Sequence, residues 1–168
     1  AGEKQSFRTG FFRFHVRAGA DGLPVVNGFE FLRNTNNNSW GVGFSEDGIL
    51  FGSTANGNPS VYLPIPNRYY ERVKGWSSSV LGSIADSNKF VPVTDKVRQV
   101  DWHGGFTAAA GHALYTARAW PKEYWNRAAF VTEPTGHLIA TFILSANGAG
   151  FRSKNSWNVL ASNDEWAA

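Results

Sequence analysis

Four histidines, His15, His103, His112 and His137, are the side chains of this 168-residue chain that can move a proton near neutral pH. His103 lies in Asp101-Trp102-His103-Gly104-Gly105, a polar, glycine-rich loop that enters an apolar strand. An imidazole there can act as general base toward a hydroxyl, or it can be held by the backbone of a tight turn. His112 starts the strand itself and is the second candidate catalytic group. His137 opens a later strand at an edge, and His15 alternates with phenylalanines on a solvated strand face. Arg98, Asn56 and Asn58 can hydrogen-bond a planar anionic cofactor or a sugar, although asparagines also serve turns. Trp120 and Trp125 flank Pro121-Lys122-Glu123-Tyr124 at a strand end and are the candidates for stacking a sugar or meeting a partner. No metal site is expected. The histidine spacings fit no local chelating pattern, and Glu46-Asp47-Gly48 lacks the spacing of a calcium loop and reads as a hairpin turn.

Composition removes further classes. With no Cys, the residues hold no disulfide, thiolate nucleophile, cysteine-ligated zinc or c-type haem attachment. A net charge of +3, spread along the chain, gives no basic patch for nucleic acid. No apolar run approaches the length of a membrane helix. At 42% hydrophobic and 15% aromatic, the chain has the mass for a core rather than for disorder. It begins at Ala1 and closes on Asn163-Asp164-Glu165-Trp166-Ala167-Ala168, mid-pattern, so a processed chain or a piece of a longer one is expected.

The elements that must position these side chains read as strands. Short runs of Phe, Trp, Tyr, Val and Ile are broken by Gly, Asn, Asp and Pro. Strands are predicted over Phe7 to Val16, Gly28 to Arg33, Trp40 to Phe44, Ile49 to Ser53, Gly111 to Thr116, Arg127 to Glu133 and Gly136 to Ser145, with a last one through Phe151 and Trp157 to Leu160. Turns are predicted at 19–22, 45–48 and Asn147-Gly148. Residues 60–97, with Pro64, Pro66, Pro92 and a triple serine, read as a long insertion with at most one or two helical turns.

An internal repeat organises these strands. The hairpin Phe11–Arg33 leads through Asn36-Asn37-Asn38 to Trp40. The hairpin Leu138–Leu160 leads through Asn163-Asp164 to Trp166, 126 residues later. Four antiparallel strands per unit, each unit hiding the edge of the next, describe an all-β fold built of propeller blades. The chain would hold an incomplete propeller of about two blades, with residues 1–168 as one partial domain. Trp40, Trp157 and Trp166 recur at repeat positions and are expected in the core. Glu133 is either a carboxylate facing the channel or a solvated partner of Arg127. A generic antiparallel sandwich or barrel is the other architecture this pattern permits.

Several stretches carry a resemblance. They are Trp40-Gly41-Val42-Gly43-Phe44-Ser45-Glu46-Asp47-Gly48, Gly52-Ser53-Thr54-Ala55-Asn56-Gly57-Asn58-Pro59-Ser60, residues 101–116 from Asp101 to Thr116, and Phe130-Val131-Thr132-Glu133-Pro134-Thr135-Gly136-His137. They resemble the membrane-bound dehydrogenase propeller domain of planctomycetes and verrucomicrobia, itself distantly similar to glucose and sorbosone quinoprotein dehydrogenases. The resemblance implies export to the periplasm or beyond, and a sugar or alcohol dehydrogenase using a pyrroloquinoline-quinone-type cofactor. His103 would take the hydroxyl proton as hydride leaves for the quinone. It also implies a larger polypeptide, often with a c-type cytochrome, whose Cys-x-x-Cys-His is absent here. The alternative function is a non-catalytic module whose exposed strand edges recruit partner subunits.

Overall fold

The computed structural model describes residues 8–97 and 104–167. Nine strands form three antiparallel sheets in which chain neighbours are sheet neighbours throughout. The first sheet is the hairpin β1 (Gly10–Ala18) and β2 (Pro24–Asn34), closed by a turn in which Gly22 N–H donates to Gly19 O at 3.0 Å. The second holds β3 (Ser39–Phe44), β4 (Leu50–Thr54) and β5 (Asn58–Tyr62). The third holds β6 (Ala110–Leu114), β7 (Ala128–Glu133), β8 (Leu138–Asn147) and β9 (Gly150–Ala161). The fold is therefore all-β, as expected. The described residues show separate sheets of two, three and four strands.

The predicted strands appear at their places, with β2 and β9 longer and more continuous than the sequence suggested. β5 was not expected. Pro59 lacks an N–H and is the second residue of this strand, and such a residue is tolerated at an edge, a strand start or an irregularity. Two of these conditions hold: β5 is an edge strand, and its pairing with β4 shifts register between Gly52 and Thr54. The insertion consequently starts after Tyr62. It contains one helical turn, α1 (Asn67–Tyr70).

The second and third sheets stack with close backbone approach. Glycine makes this possible. A Cβ on Gly43 would lie 2.0 Å from the carbonyl oxygen of His112, and one on Gly41 would lie 2.1 Å from that of Gly111. Ser53 Oγ completes the seam, placed 3.0 Å from Ala109 O and 2.7 Å from Gly111 O. On the other side of the second sheet, Phe11 of β1 lies over Gly52, where an added Cβ would meet its ring at 2.4 Å. Phe11 joins Leu32, Leu50, Val61 and Leu81 in one apolar cluster. A larger cluster of Phe90, Phe106, Ala129, Val131, Leu138, Ala140 and Phe142 lies under the third sheet.

The described stretch after Tyr62, residues 63–97, is a strap, not a free loop. Leu81 N–H donates to Asn34 O and Ile84 N–H to Ser60 O, each at 2.9 Å. Ser153 N–H donates to Ile84 O at 2.7 Å, and Asp86 N–H to Ser153 O at 2.9 Å. The strap thus satisfies edge groups of β2, β5 and β9, where water or another chain would otherwise bond.

The expectation that the repeat tryptophans are core residues is overturned. Trp40 is 64% exposed, Trp166 70% and Trp157 37%. Each stands on a face that no described element fully covers.

Candidate functional site

The histidine predicted to open β6 is the most deeply set of the chemistry-bearing side chains. His112 is fully buried between the second and third sheets. Its ring stacks on Phe51 with centroids 5.5 Å apart and planes 7° apart. Its Nε2 lies 2.9 Å from Ser60 Oγ, and its Nδ1 has no hydrogen-bond partner among the described residues. Loss of solvent disfavours the imidazolium and takes its pKa down from 6.5 to about 4. A neutral imidazole sealed from solvent has no access to a substrate hydroxyl. In this fold it is a packing element of the sheet seam.

His103 and Arg98 lie outside the described residues. The two asparagines of the predicted cofactor set are brought near each other but not into a binding cradle. Asn58 is 2% exposed, and its Nδ2 donates to Asn36 Oδ1 at 3.1 Å. Asn56 is exposed in a left-handed turn at φ 54°, with its N–H donating to Thr107 O at 2.9 Å. These described members of the set do not fit a planar quinone: one amide is inside the protein and the other serves a turn. Asn36 also accepts from Thr54 Oγ1, and it lines an open polar cleft of about 770 Å³ with Arg8, Thr9, Thr35 and Asn37. The cleft offers amides and hydroxyls, with one cation, Arg8.

Trp120 and Trp125 do come together. Trp125 Nε1–H donates to Trp120 O at 2.6 Å. Trp120 stacks on Tyr115 at 4.7 Å and meets the edges of Phe130 and Tyr124, while Trp157 packs against both Trp120 and Tyr124. Arg118 lies 4.8 Å from the Trp125 centroid and pairs with Glu46 at 2.7 Å. Asn126 accepts from Glu46 N–H, so the β3–β4 turn and the 115–127 loop are tied together. The two tryptophans are half-buried and largely engaged with one another's neighbours. The tryptophans predicted for ligand contact pack against neighbouring rings while staying half-exposed, and those predicted for the core are the more exposed ones.

Glu133 differs from both readings offered by the sequence. It is fully buried at the end of β7, and Arg127 bonds Leu144 O instead. Its carboxylate accepts from Ala108 N–H at 3.0 Å, from Thr135 N–H at 3.2 Å, and from the Thr135 hydroxyl. Burial pushes its pKa up, against the hydrogen bonds, which favour the charged form. The missed signal was Glu133-Pro134-Thr135-Gly136, an acidic residue capping a one-turn helix with proline first. His15 is exposed on β1, as expected. His137 follows the 134–136 turn in the left-handed region at φ 56°, and it is buried.

A surface feature stands out against these satisfied interiors. The side chains of β3 alternate. Gly41 and Gly43 face the third sheet, whereas Trp40, Val42 and Phe44 face away and are all more than half exposed. Among the described residues, no group of three His, Asp or Glu side chains gathers as for a metal ion. No helix among them is long and apolar enough to cross a membrane.

Over its whole length, residues 1–168, the chain matches the family described as "Domain of unknown function (DUF7133)", and it belongs to that family. No curated protein and no solved structure gives a match.

Proposed function

We propose that the chain works as a sheet-stacking module within a larger β assembly of propeller type, and that its contribution is structural. The observation carrying this reading is the two-sided character of β3. One side is cut back to glycine and closed by a neighbouring sheet, while the other presents Trp40, Val42 and Phe44 uncovered. Contiguous apolar patches on a soluble surface mark interaction sites. The buried polar groups support the same reading: His112, Asn58 and Glu133 are all set inside contacts between elements. The hydrophobic dye ANS tests it. The chain should bind the dye, and the combined change Trp40→Ser, Val42→Thr, Phe44→Ser should remove most of the signal without lowering the melting temperature. Dye binding that is absent, or unchanged by the triple substitution, would overturn the reading.

A second reading follows from the dehydrogenase resemblance, with an exported location. It rests on His103 as base and Arg98 as anion contact, with Trp120 and Trp125 at the substrate. A pyrroloquinoline quinone would supply the hydride-accepting ring. An absorbance scan for bound quinone, with dye-linked turnover on sugars and alcohols, tests it. Neither quinone nor turnover, in the protein as it occurs in the cell, would dispose of it.

A further inference from the structure

We propose that the strap carries a docking cup for an acidic, proline-bearing peptide segment of a partner protein. The cup holds about 130 Å³ and is lined by Ile65, Tyr69, Tyr70, Val73 and Trp76. Ile65 is 43% exposed, Val73 46%, Tyr69 49% and Trp76 66%. Large apolar side chains left together in solvent on one short segment mark an interaction site. This goes beyond the stacking reading and uses no residue of β3.

Local winding of the chain makes the cup. From Asn67 it passes through α1 and two further turns: Glu71 N–H donates to Asn67 O at 3.2 Å, Val73 N–H to Tyr70 O at 3.0 Å and Trp76 N–H to Val73 O at 3.1 Å. Gly75, at φ 80°, takes the left-handed step inside the last turn. Positions 65, 69, 73 and 76 thereby come to line one hollow. Arg33 of β2 clamps both ends of it. Its Nε–H donates to Ser79 O at 2.6 Å and its Nη1–H to Ile65 O at 2.9 Å, while the guanidinium lies 4.6 Å from the Tyr70 centroid. A cup fixed before its ligand arrives loses less entropy on binding.

Charge and size select the occupant. Arg33 is 4% exposed and has no carboxylate partner among the described residues. Glu30 is shared between Arg13 and Arg68. Arg72 and Lys74, exposed on either side of Val73, have no acidic partner among the described residues either. Glu71 is the one acid of residues 65–76, and it accepts from Asn67 Nδ2–H at 2.6 Å. The surroundings therefore favour an anion. A ligand cation is excluded from the rings as well, because arginines already stand over Tyr70 and Tyr69, each at 4.6 Å. An apolar cavity of roughly 150 Å³ takes one benzene ring, so this cup takes one ring or branched side chain rather than a helix or a strand. Tyr70 Oη and Trp76 Nε1 have no hydrogen-bond partner among the described residues, and both can donate to a carbonyl. A proline in extended polyproline conformation supplies the ring, presents unpaired carbonyls and has no N–H in need of an acceptor. Carboxylates beside it answer Arg72 and Lys74.

The probe is the fluorescein-labelled peptide Asp-Glu-Pro-Pro-Pro-Glu-Asp, read by anisotropy against the full chain. It should bind, and exchanging its prolines for alanines should weaken binding about tenfold, as should Trp76→Ala. Trp76 is mostly exposed, so this variant should keep the parent's melting temperature. The peptide series decides by itself should that temperature fall. The pair Arg72→Gln and Lys74→Gln should weaken binding several-fold and flatten its salt dependence. The chain carrying Trp40→Ser, Val42→Thr and Phe44→Ser should bind the probe like the parent, so a failure here is distinct from a failure of the stacking reading. No binding of the probe would overturn the proposal. So would equal binding of the alanine peptide, of Lys-Lys-Pro-Pro-Pro-Lys-Lys, or of the probe by a folded Trp76→Ala chain. Tighter binding to vesicles of anionic phospholipid than to the peptide would make the patch a membrane contact and overturn it too.

Discussion

The hairpin β1–β2 and the pair β8–β9 are the same object in two environments. Both are long and antiparallel, both lie at the same repeat offset, and both lead through a polar loop to a tryptophan. Yet β8 buries Leu138, Ala140, Thr141, Phe142 and Leu144, whereas β1 is exposed from Arg13 to Ala18 and β2 from Pro24 to Phe29. Local composition does not explain this, because Phe14, Val16, Val25 and Phe29 are as apolar as their counterparts. The difference is in the neighbours. β8 has β7 on one side and the strap beneath its sheet. Among the described residues, β1 pairs with β2 alone. A strand's preference is for a pleated, half-covered surface, and the cover decides what the residue is worth.

The largest effect should come from removing the same side chain in the two settings. Phe142→Ala takes away a ring that is fully buried and packed on Phe106 at 5.6 Å. It should destabilise by about 3–5 kcal/mol in urea unfolding. Phe14→Ala, at a 53% exposed position, should change stability by less than about 0.5 kcal/mol. Equal costs would mean that the two hairpins share one environment.

The seam that gives β3 its two-sided character comes next. Gly43→Ala places a methyl 2.0 Å from a backbone carbonyl that cannot rotate away. Spreading the second and third sheets should cost about 3 kcal/mol, the upper part of the range for overpacking. Val42→Ala, one residue along and facing outward, should cost a small fraction of that in the isolated chain.

His112 reports on the same seam through pH. Its folded pKa of about 4 lies below the reference 6.5, so between these values the unfolded chain binds more protons. Stability is full above about pH 6.5 and falls as pH drops toward 4, by at most on the order of 3 kcal/mol. Glu133 acts with opposite sign: its raised pKa makes the folded chain hold more protons just above 4.5, so its contribution weakens as pH rises. The difference between the parent and His112→Phe isolates the histidine. The Phe variant keeps the stack on Phe51, and its stability should fall less between pH 6.5 and 4. A parallel pH profile in the two proteins would remove His112 as the titrating group.

Strand positions and turns were legible because alternation, glycine and asparagine act locally. The repeat was legible because Trp40 and Trp166 close equivalent loops. β5 was hidden by Pro59, whose cost depends on whether its strand is an edge, and that is set by chains far away in sequence. The same limit explains the tryptophans. Trp40 and Trp157 were assigned to packing from repeat position, and Trp120 and Trp125 to ligand contact from a loop position. Which of them is covered depends on how far the 115–127 loop folds back over Phe130, and no spacing rule states this. Glu133 was readable as a cap but was weighed as an ion-pair partner, because Arg127 is near in sequence and Ala108 is not.

The smallest expected effect sharpens the opening comparison most. β1–β2 has its own local supports: the ion pairs of Glu30 with Arg13 and Arg68, and the ring contacts of Phe12 with Phe29, stacked at 5.6 Å, and with Phe31, tilted at 5.5 Å. Exposed ion pairs contribute about 0–1 kcal/mol, so Glu30→Gln should leave the global unfolding midpoint nearly unmoved. Hydrogen exchange should register it instead. The amides of residues 13–18 and 24–29 open without unfolding the sheets, and their protection should fall by a few-fold in Glu30→Gln while that of β8 stays constant. If β8 lost protection in step, the hairpin and the stacked sheets would be one cooperative unit. The exposed ribbon would then be a rigid arm of the core, rather than an element that opens on its own.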